Sequence, residues 1–195
     1  MIFIRSKKSA LGLLVILMVV LTACQPAASA ATHYAAAISG TEAFIGIAIS
    51  GQEVTAYVCD GTDTTVATIS EWFKGTLSGD SIELSSSGGA QLTGNLASAG
   101  VQGTVVLADG QTFAFSAAPA GAEAGLFRAE ETFGSESYVA GWIVLDDGQQ
   151  RGGMGYEGGG GVGKLAITPI PIPRLPRTLK VVTSLGEFSA RRVGG

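Results

Sequence analysis

Phe44-Ile45-Gly46-Ile47-Ala48-Ile49-Ser50, followed by Gly51-Gln52-Glu53 and then Val54-Thr55-Ala56-Tyr57-Val58-Cys59, is the stretch on which the fold turns. Side chains alternate across a strand, so Ile45, Ile47 and Ile49 fall on one side and Gly46, Ala48 and Ser50 on the other. After the Gly51 turn the chain comes back at the same period, which predicts a β-hairpin. Asp60-Gly61-Thr62-Asp63 supplies the turn residues that end it.

Outward from this pair, short β runs recur with turn residues between them at the spacing of about 8 to 12 residues expected of sandwiches and barrels. Glu71 to Leu77 fits a helical turn or a strand, and Trp72, Phe73 and Thr76 favour the strand. A meander follows through Ser81–Leu84, Ala90–Leu96 and Val101–Leu107. Asp109-Gly110 then turns into Gln111–Ala117, and the same design returns where Tyr138–Leu145 meets Asp146-Asp147-Gly148, because Asp-Gly provides the positive φ of a tight hairpin. Both faces of Tyr138–Leu145 are apolar, which predicts a central strand covered on both sides. Gly75, Gly94, Gly103 and Gly141 interrupt strands where a sheet must bend or where a large ring, Trp72 or Trp142, lies on bare backbone. Prolines 169, 171, 173 and 176 impose extended geometry on a strap over residues 169–177, and Thr178–Val182 with Glu187–Val193 reads as a closing hairpin. The expected fold is all-β, an antiparallel meander closing into a small barrel or a tight sandwich.

The start of the chain fixes a location. Arg5, Lys7 and Lys8 precede an uncharged apolar run from Ala10 to Val20, the order of a secretory signal. The run is shorter than the roughly 20 residues of a membrane span. Leu21-Thr22-Ala23-Cys24 resembles the lipobox of bacterial lipoproteins; an ordinary signal cut near Ala28 or Ala30 is the competing reading. The resemblance implies cleavage before Cys24, diacylglycerol on its sulfur and acylation of its amino group. Residues 1–23 are then a lipoprotein signal peptide, 24–33 a flexible tether, and 34–195 a single β domain with a Gly-rich loop over 155–163. The lipid anchor makes a cell or outer membrane the first partner, with the domain outside the cytoplasm, and two acyl chains hold without a helix. Tyr57-Val58-Cys59-Asp60-Gly61 and Gly141-Trp142-Ile143-Val144-Leu145 also resemble segments of uncharacterised exported bacterial proteins, which carries no function with it.

Charge divides the chain. From Cys24 to Gly163 fifteen acids face three bases, a net of −12; from Lys164 to Gly195 six bases face Glu187, a net of +5. The basic residues of the tail are scattered, which favours pairing with acidic strands of the same domain over a lipid- or polymer-binding patch, and an exported acidic body excludes nucleic acid. With Cys24 acylated, Cys59 has no disulfide partner, and its place in an apolar strand reads as burial.

Chemistry-bearing patterns are few. Gly158–Lys164 has the spacing of a phosphate-binding loop, but Leu165 stands where Ser or Thr holds magnesium, no apolar strand runs directly into it, and the prolines from Pro169 forbid the following helix. His33 is the only histidine and falls in the tether segment, so imidazole metal sites and Ser-His or Cys-His machinery are not expected. Glu71 beside Trp72 is the best acid for a two-carboxylate glycosidase, and Asp60, Thr62 and Asp63 a weak calcium candidate. No cofactor, metal or catalytic residue is expected. The leading expectation is a non-catalytic binding module for a protein, glycan or lipid of the envelope, with Trp72 and Trp142 as candidate ligand contacts; a lipocalin-like barrel carrying an apolar ligand is the alternative.

Overall fold

The computed structural model describes residues 30–157 and 165–195, all strand, turn or extended chain. Eight strands form a closed antiparallel barrel: β1 (Thr32–Ala37), β2 (Phe44–Ser50), β3 (Glu53–Cys59), β4 (Ser70–Ser78), β5 (Ser81–Ser86), β6 (Gln91–Ala97), β7 (Gly100–Val106) and β8 (Thr112–Pro119). Each strand pairs with the next, and β8 returns to β1 through Tyr34↔Pro119 and Ala35↔Ala118. The barrel is therefore the member of the expected pair that forms.

Ile45, Ile47 and Ile49 point inward with Val54, Ala56, Val58, Phe73, Leu92, Val101 and Val105 into one buried cluster. Many of these, Ile47, Phe73, Leu92 and Val105 among them, expose no surface to a water-sized sphere, so the barrel centre is solid side chain rather than lumen. At Gly103 a Cβ would stand 2.1 Å from the Thr93 carbonyl oxygen across the ladder, which is why a bare backbone is needed at this bend. On β5 to β8 the outward residues are mostly polar, Glu83, Thr93, Asn95, Gln102 and Thr104 being examples, with Val106 and a few alanines between them, unlike the continuous apolar outer band of a membrane-spanning barrel.

A second sheet lies against the outside of β1 to β4. It comprises β9 (Gly125–Phe133), β10 (Glu136–Val144), β11 (Gln150–Glu157), β12 (Leu165–Ile167) and β15 (Arg191–Arg192), in the order β12-β11-β10-β9-β15. β13 (Lys180–Val182) and β14 (Glu187–Ser189) form a hairpin of their own. β9 passes His33 of β1 at Gly125, Gly46 of β2 at Leu126 and Trp72 of β4 at Arg128, so it runs across the barrel strands. Leu126 and Ile143 sink between Phe44, Ala48, Tyr57 and Cys59.

The other face of the sheet, with Phe127, Ala140, Trp142, Val144 and Met154, is covered by Ile172 and Leu175 of the strap and by Val181 and Phe188 of the hairpin. β10 thus has the two-sided cover expected of it, from the barrel and from the C-terminal segments. Having no partner strand, the strap is fastened by side chains. The Gln150 amide donates to the Leu175 carbonyl at 3.1 Å and accepts its N–H at 2.9 Å, as a neighbouring backbone would. The two Asp-Gly hairpins share one device, Asp109 accepting the Gln111 N–H and Asp147 that of Gln149; these bonds hold both carboxyls below the usual carboxylate range.

Two boundaries differ from expectation. Thr32 and His33 belong to β1, paired with Ile49 and Ala48, so the described part of the tether ends at Ala31. Ala31-Thr32-His33 has no alternation of its own, and the free edge of β2 draws it into the ladder. Gly155, Tyr156 and Glu157 belong to β11, because Gly155 sits close beneath Leu165 and Ala166 of β12; the rest of the Gly-rich loop and the phosphate-loop pattern at 158–164 lie outside the described residues. Cys24 and the signal segment lie outside them as well.

Candidate functional site

The aromatic candidates are occupied. Trp72 stacks on Tyr57 with ring centroids 4.3 Å apart, and the Arg128 guanidinium lies 4.4 Å from the centre of its ring. Tyr57 is fully buried and its hydroxyl shares a 2.8 Å hydrogen bond with Ser70. Gly141 leaves the space for this pile, since a Cβ there would come within 2.6 Å of Trp72 Cζ2. Trp142 is 1 % exposed, and its indole N–H donates to the Pro173 carbonyl at 3.0 Å. One indole glues barrel to sheet and the other glues sheet to strap; neither presents a free face to a ligand.

Glu71 and Trp72 are neighbours in sequence but not in space. Adjacent residues of a strand face opposite ways, so Trp72 meets the sheet while Glu71 turns to the barrel end, where its carboxylate lies against Gly88. The acid and the indole therefore do not form the contact on which the glycosidase reading rests. Asp60 serves its loop: Oδ1 accepts the N–H groups of Thr68 at 2.8 Å and Ile69 at 2.9 Å, and Oδ2 accepts the Thr68 hydroxyl. Among the described residues, no three His, Cys, Asp or Glu side chains gather at metal-binding distance. Cys59 is buried as expected, and burial pushes its thiol up to about 11.

The concave feature with an apolar floor is a groove of about 570 Å³ that the sequence did not disclose. It opens between the loop after β8 (Gly121–Ala124), the β10–β11 turn and the strap. Phe127, Val144, Leu175 and Leu179 are its apolar lining; Glu123, Asp146, Gln150 and Arg177 are the polar groups around it. Glu123 and Arg177, on opposite walls, pair at 2.9 Å with both side chains largely exposed, a link worth at most about 1 kcal/mol. Leu179 holds φ at 57°, the one non-glycine residue in the left-handed region among the described residues. That conformation costs an L-residue about 1–2 kcal/mol, and such costs concentrate where a surface is shaped for use. A hollow of about 620 Å³ near the β9–β10 hairpin has mostly polar walls, including Arg128, Glu130 and Glu157. Another of about 110 Å³ touches the edge of Trp142 between Asp63, Arg151 and Arg174.

The groove has the size and the mixture of apolar floor and sparse polar groups that ligand sites show. Its walls come from residues about 120–124, 127, 144–150 and 175–179, too far apart for any sequence window to contain them. The Pro-rich run was the single legible sign of it.

His33 stands behind one wall. It is 4 % exposed, and its Nδ1 accepts the Leu126 N–H at 3.2 Å. Burial first, then the nearby Arg192 cation, lowers its pKa to about 4, so the ring is neutral at pH 7. Comparison of the chain with protein-family models, with curated proteins and with solved structures finds no match.

Proposed function

We propose that this chain is a lipid-anchored extracytoplasmic binding module, held to a membrane through Cys24, that takes an amphipathic envelope component in the groove under its Pro-rich strap. The observation that carries this reading is the pairing of a solid barrel with an apolar groove outside it: the barrel stores no ligand and acts as the scaffold on which sheet and strap are mounted. A carrier function, the second reading, moves with it from the barrel interior to this groove. The groove is within the roughly 300–1,000 Å³ of small-molecule sites. The reading is non-catalytic because its polar groups, Glu123, Asp146, Gln150 and Arg177, include no nucleophile paired with a base.

The test is native mass spectrometry of the full chain purified from a bacterial envelope, before and after organic extraction, beside Ala122→Trp. Ala122 is exposed on the groove rim, so an indole there blocks the groove without entering the core. A reproducible extra mass that extraction removes, and that Ala122→Trp lacks, is expected. The same mass retained in Ala122→Trp overturns the assignment to the groove. Acyl chains on Cys24 appear in the same spectra, and Cys24→Ala loses them together with membrane retention.

A further inference from the structure

Three elements meet at His33. Its Nδ1 takes the Leu126 N–H of β9, the Val193 backbone just after β15 lies close to the ring, and its own carbonyl takes the Ala120 N–H at 2.8 Å. Gly125 keeps φ at 114°, and a Cβ on it would lie 2.8 Å from the imidazole, so the backbone of β9 is pressed onto the ring. Arg192 then reaches from β15 to the groove wall, where Nη2 donates to the carbonyls of Gly121 at 2.9 Å and Ala124 at 2.8 Å. Its Nε is buried without a hydrogen-bond partner among the described residues. Arg192 is thus a clamp on the 121–124 wall, held by a strand of two residues and one unsatisfied donor short of a stable seat.

We propose that His33 and Arg192 form an acid-operated latch on the groove: a proton from solvent on His33 Nδ1 removes the acceptor of the Leu126 N–H, sets a second cation beside Arg192, and releases the 121–124 wall together with the C-terminal segment. This rests on the groove as the binding site only for its consequence, ligand release in acid. The charged groups around the ring support the direction. Arg192 acts on the imidazole itself and Asp146, in the β10–β11 turn, acts on Arg192; β9 and the 120–124 loop offer His33 backbone, while Glu123 of that loop is turned to Arg177. Among the described residues, no carboxylate acts on the ring to take up the new charge. With the ring's pKa at about 4 in place and near 6.5 once released, the open-to-closed ratio rises by roughly 100-fold or more between pH 7 and pH 4.

Hydrogen exchange of the full chain in detergent, read by peptide mass spectrometry at pH 7 and pH 4 and corrected for the intrinsic pH dependence of exchange, tests this without any ligand. Peptides over 120–126 and 190–195 should lose protection by at least tenfold in acid, while 91–106 in the barrel keeps its own. His33→Gln, which can accept the Leu126 N–H but cannot be charged, should abolish the acid step. Arg192→Gln should expose 120–124 at pH 7 already. Uniform loss across barrel and sheet, or an acid step that survives His33→Gln, overturns the latch. Because no ligand enters, the latch can fail while the groove still binds, and the reverse.

Discussion

Replacing Gly141 by alanine separates the packing argument from general strand chemistry, because the two give opposite signs. Inside an ordinary strand, glycine to alanine stabilises by about 0.5–1 kcal/mol through the entropy glycine loses on folding. At Gly141 the added Cβ would stand 2.6 Å from Trp72 Cζ2, 2.7 Å from Tyr57 Cε1 and 3.0 Å from Tyr57 Cζ. Contact needs about 3.5 Å or more, so the rings must retreat by roughly 1 Å. Tyr57 cannot retreat freely, being fully buried and hydrogen-bonded to Ser70, and Trp72 lies between it and Arg128. Overpacking of this kind costs about 1–3 kcal/mol, and disturbing the stack and the cation–π contact adds about 1 kcal/mol. Set against the gain of about 0.5–1 kcal/mol, the expected net loss is about 1–3.5 kcal/mol. With a urea m-value of about 2 kcal/mol/M, the tryptophan-fluorescence midpoint falls by about 0.5–1.7 M at unchanged slope. Ser116→Ala, on the open barrel face, is the control and should move stability by less than about 0.5 kcal/mol. A Gly141→Ala midpoint at or above that of the parent would refute the close packing of barrel and sheet at this point.

Stability should depend on pH through His33. Its folded pKa, about 4, lies below the unfolded value of 6.5, so the folded state binds fewer protons; the contribution is complete above pH 6.5 and is lost as pH falls through 4, amounting to about 3 kcal/mol. Urea titrations at pH 7, 5.5 and 4 should show this fall in the parent and a flatter profile in His33→Gln. Cys59, buried and with its thiol raised to about 11, should resist a thiol reagent at pH 8 in the Cys24→Ala chain and react fully in denaturant; rapid labelling of the native chain would count against the sealed junction. Gln150→Ala removes both fastenings of Leu175 and leaves its N–H and carbonyl unpaired, a loss of about 1–3 kcal/mol. Limited trypsin digestion should then cut after Arg174 or Arg177 well before the barrel is attacked, and equal cleavage rates in parent and variant would show the strap to be held otherwise.

Period-two alternation in the sequence carries most of the strand plan. Ile45, Ile47 and Ile49 had to share a face, the Asp-Gly turns had to be hairpins, and the doubly apolar Tyr138–Leu145 had to lie inside two layers, because each follows from the pleat and from glycine at positive φ. The proposed lipid anchor rests on the same kind of local reading, the resemblance of four consecutive residues to a lipobox. What covers each face was not legible. The apolar pattern of a strand says that it is buried and not by what, so barrel and sandwich stayed level until β8 was seen to pair with β1. The same holds for single residues: Trp72 and Trp142 read equally as rings on bare backbone and as ligand contacts, and His33 as tether, whereas their partners Arg128, Pro173 and Leu126 are distant in the chain. Local sequence determined the strands, their turns and their inner faces. Tertiary structure alone decided the solid barrel, the sheet laid across it, and the groove and latch at their edge, because those depend on contacts between residues that no short window holds together.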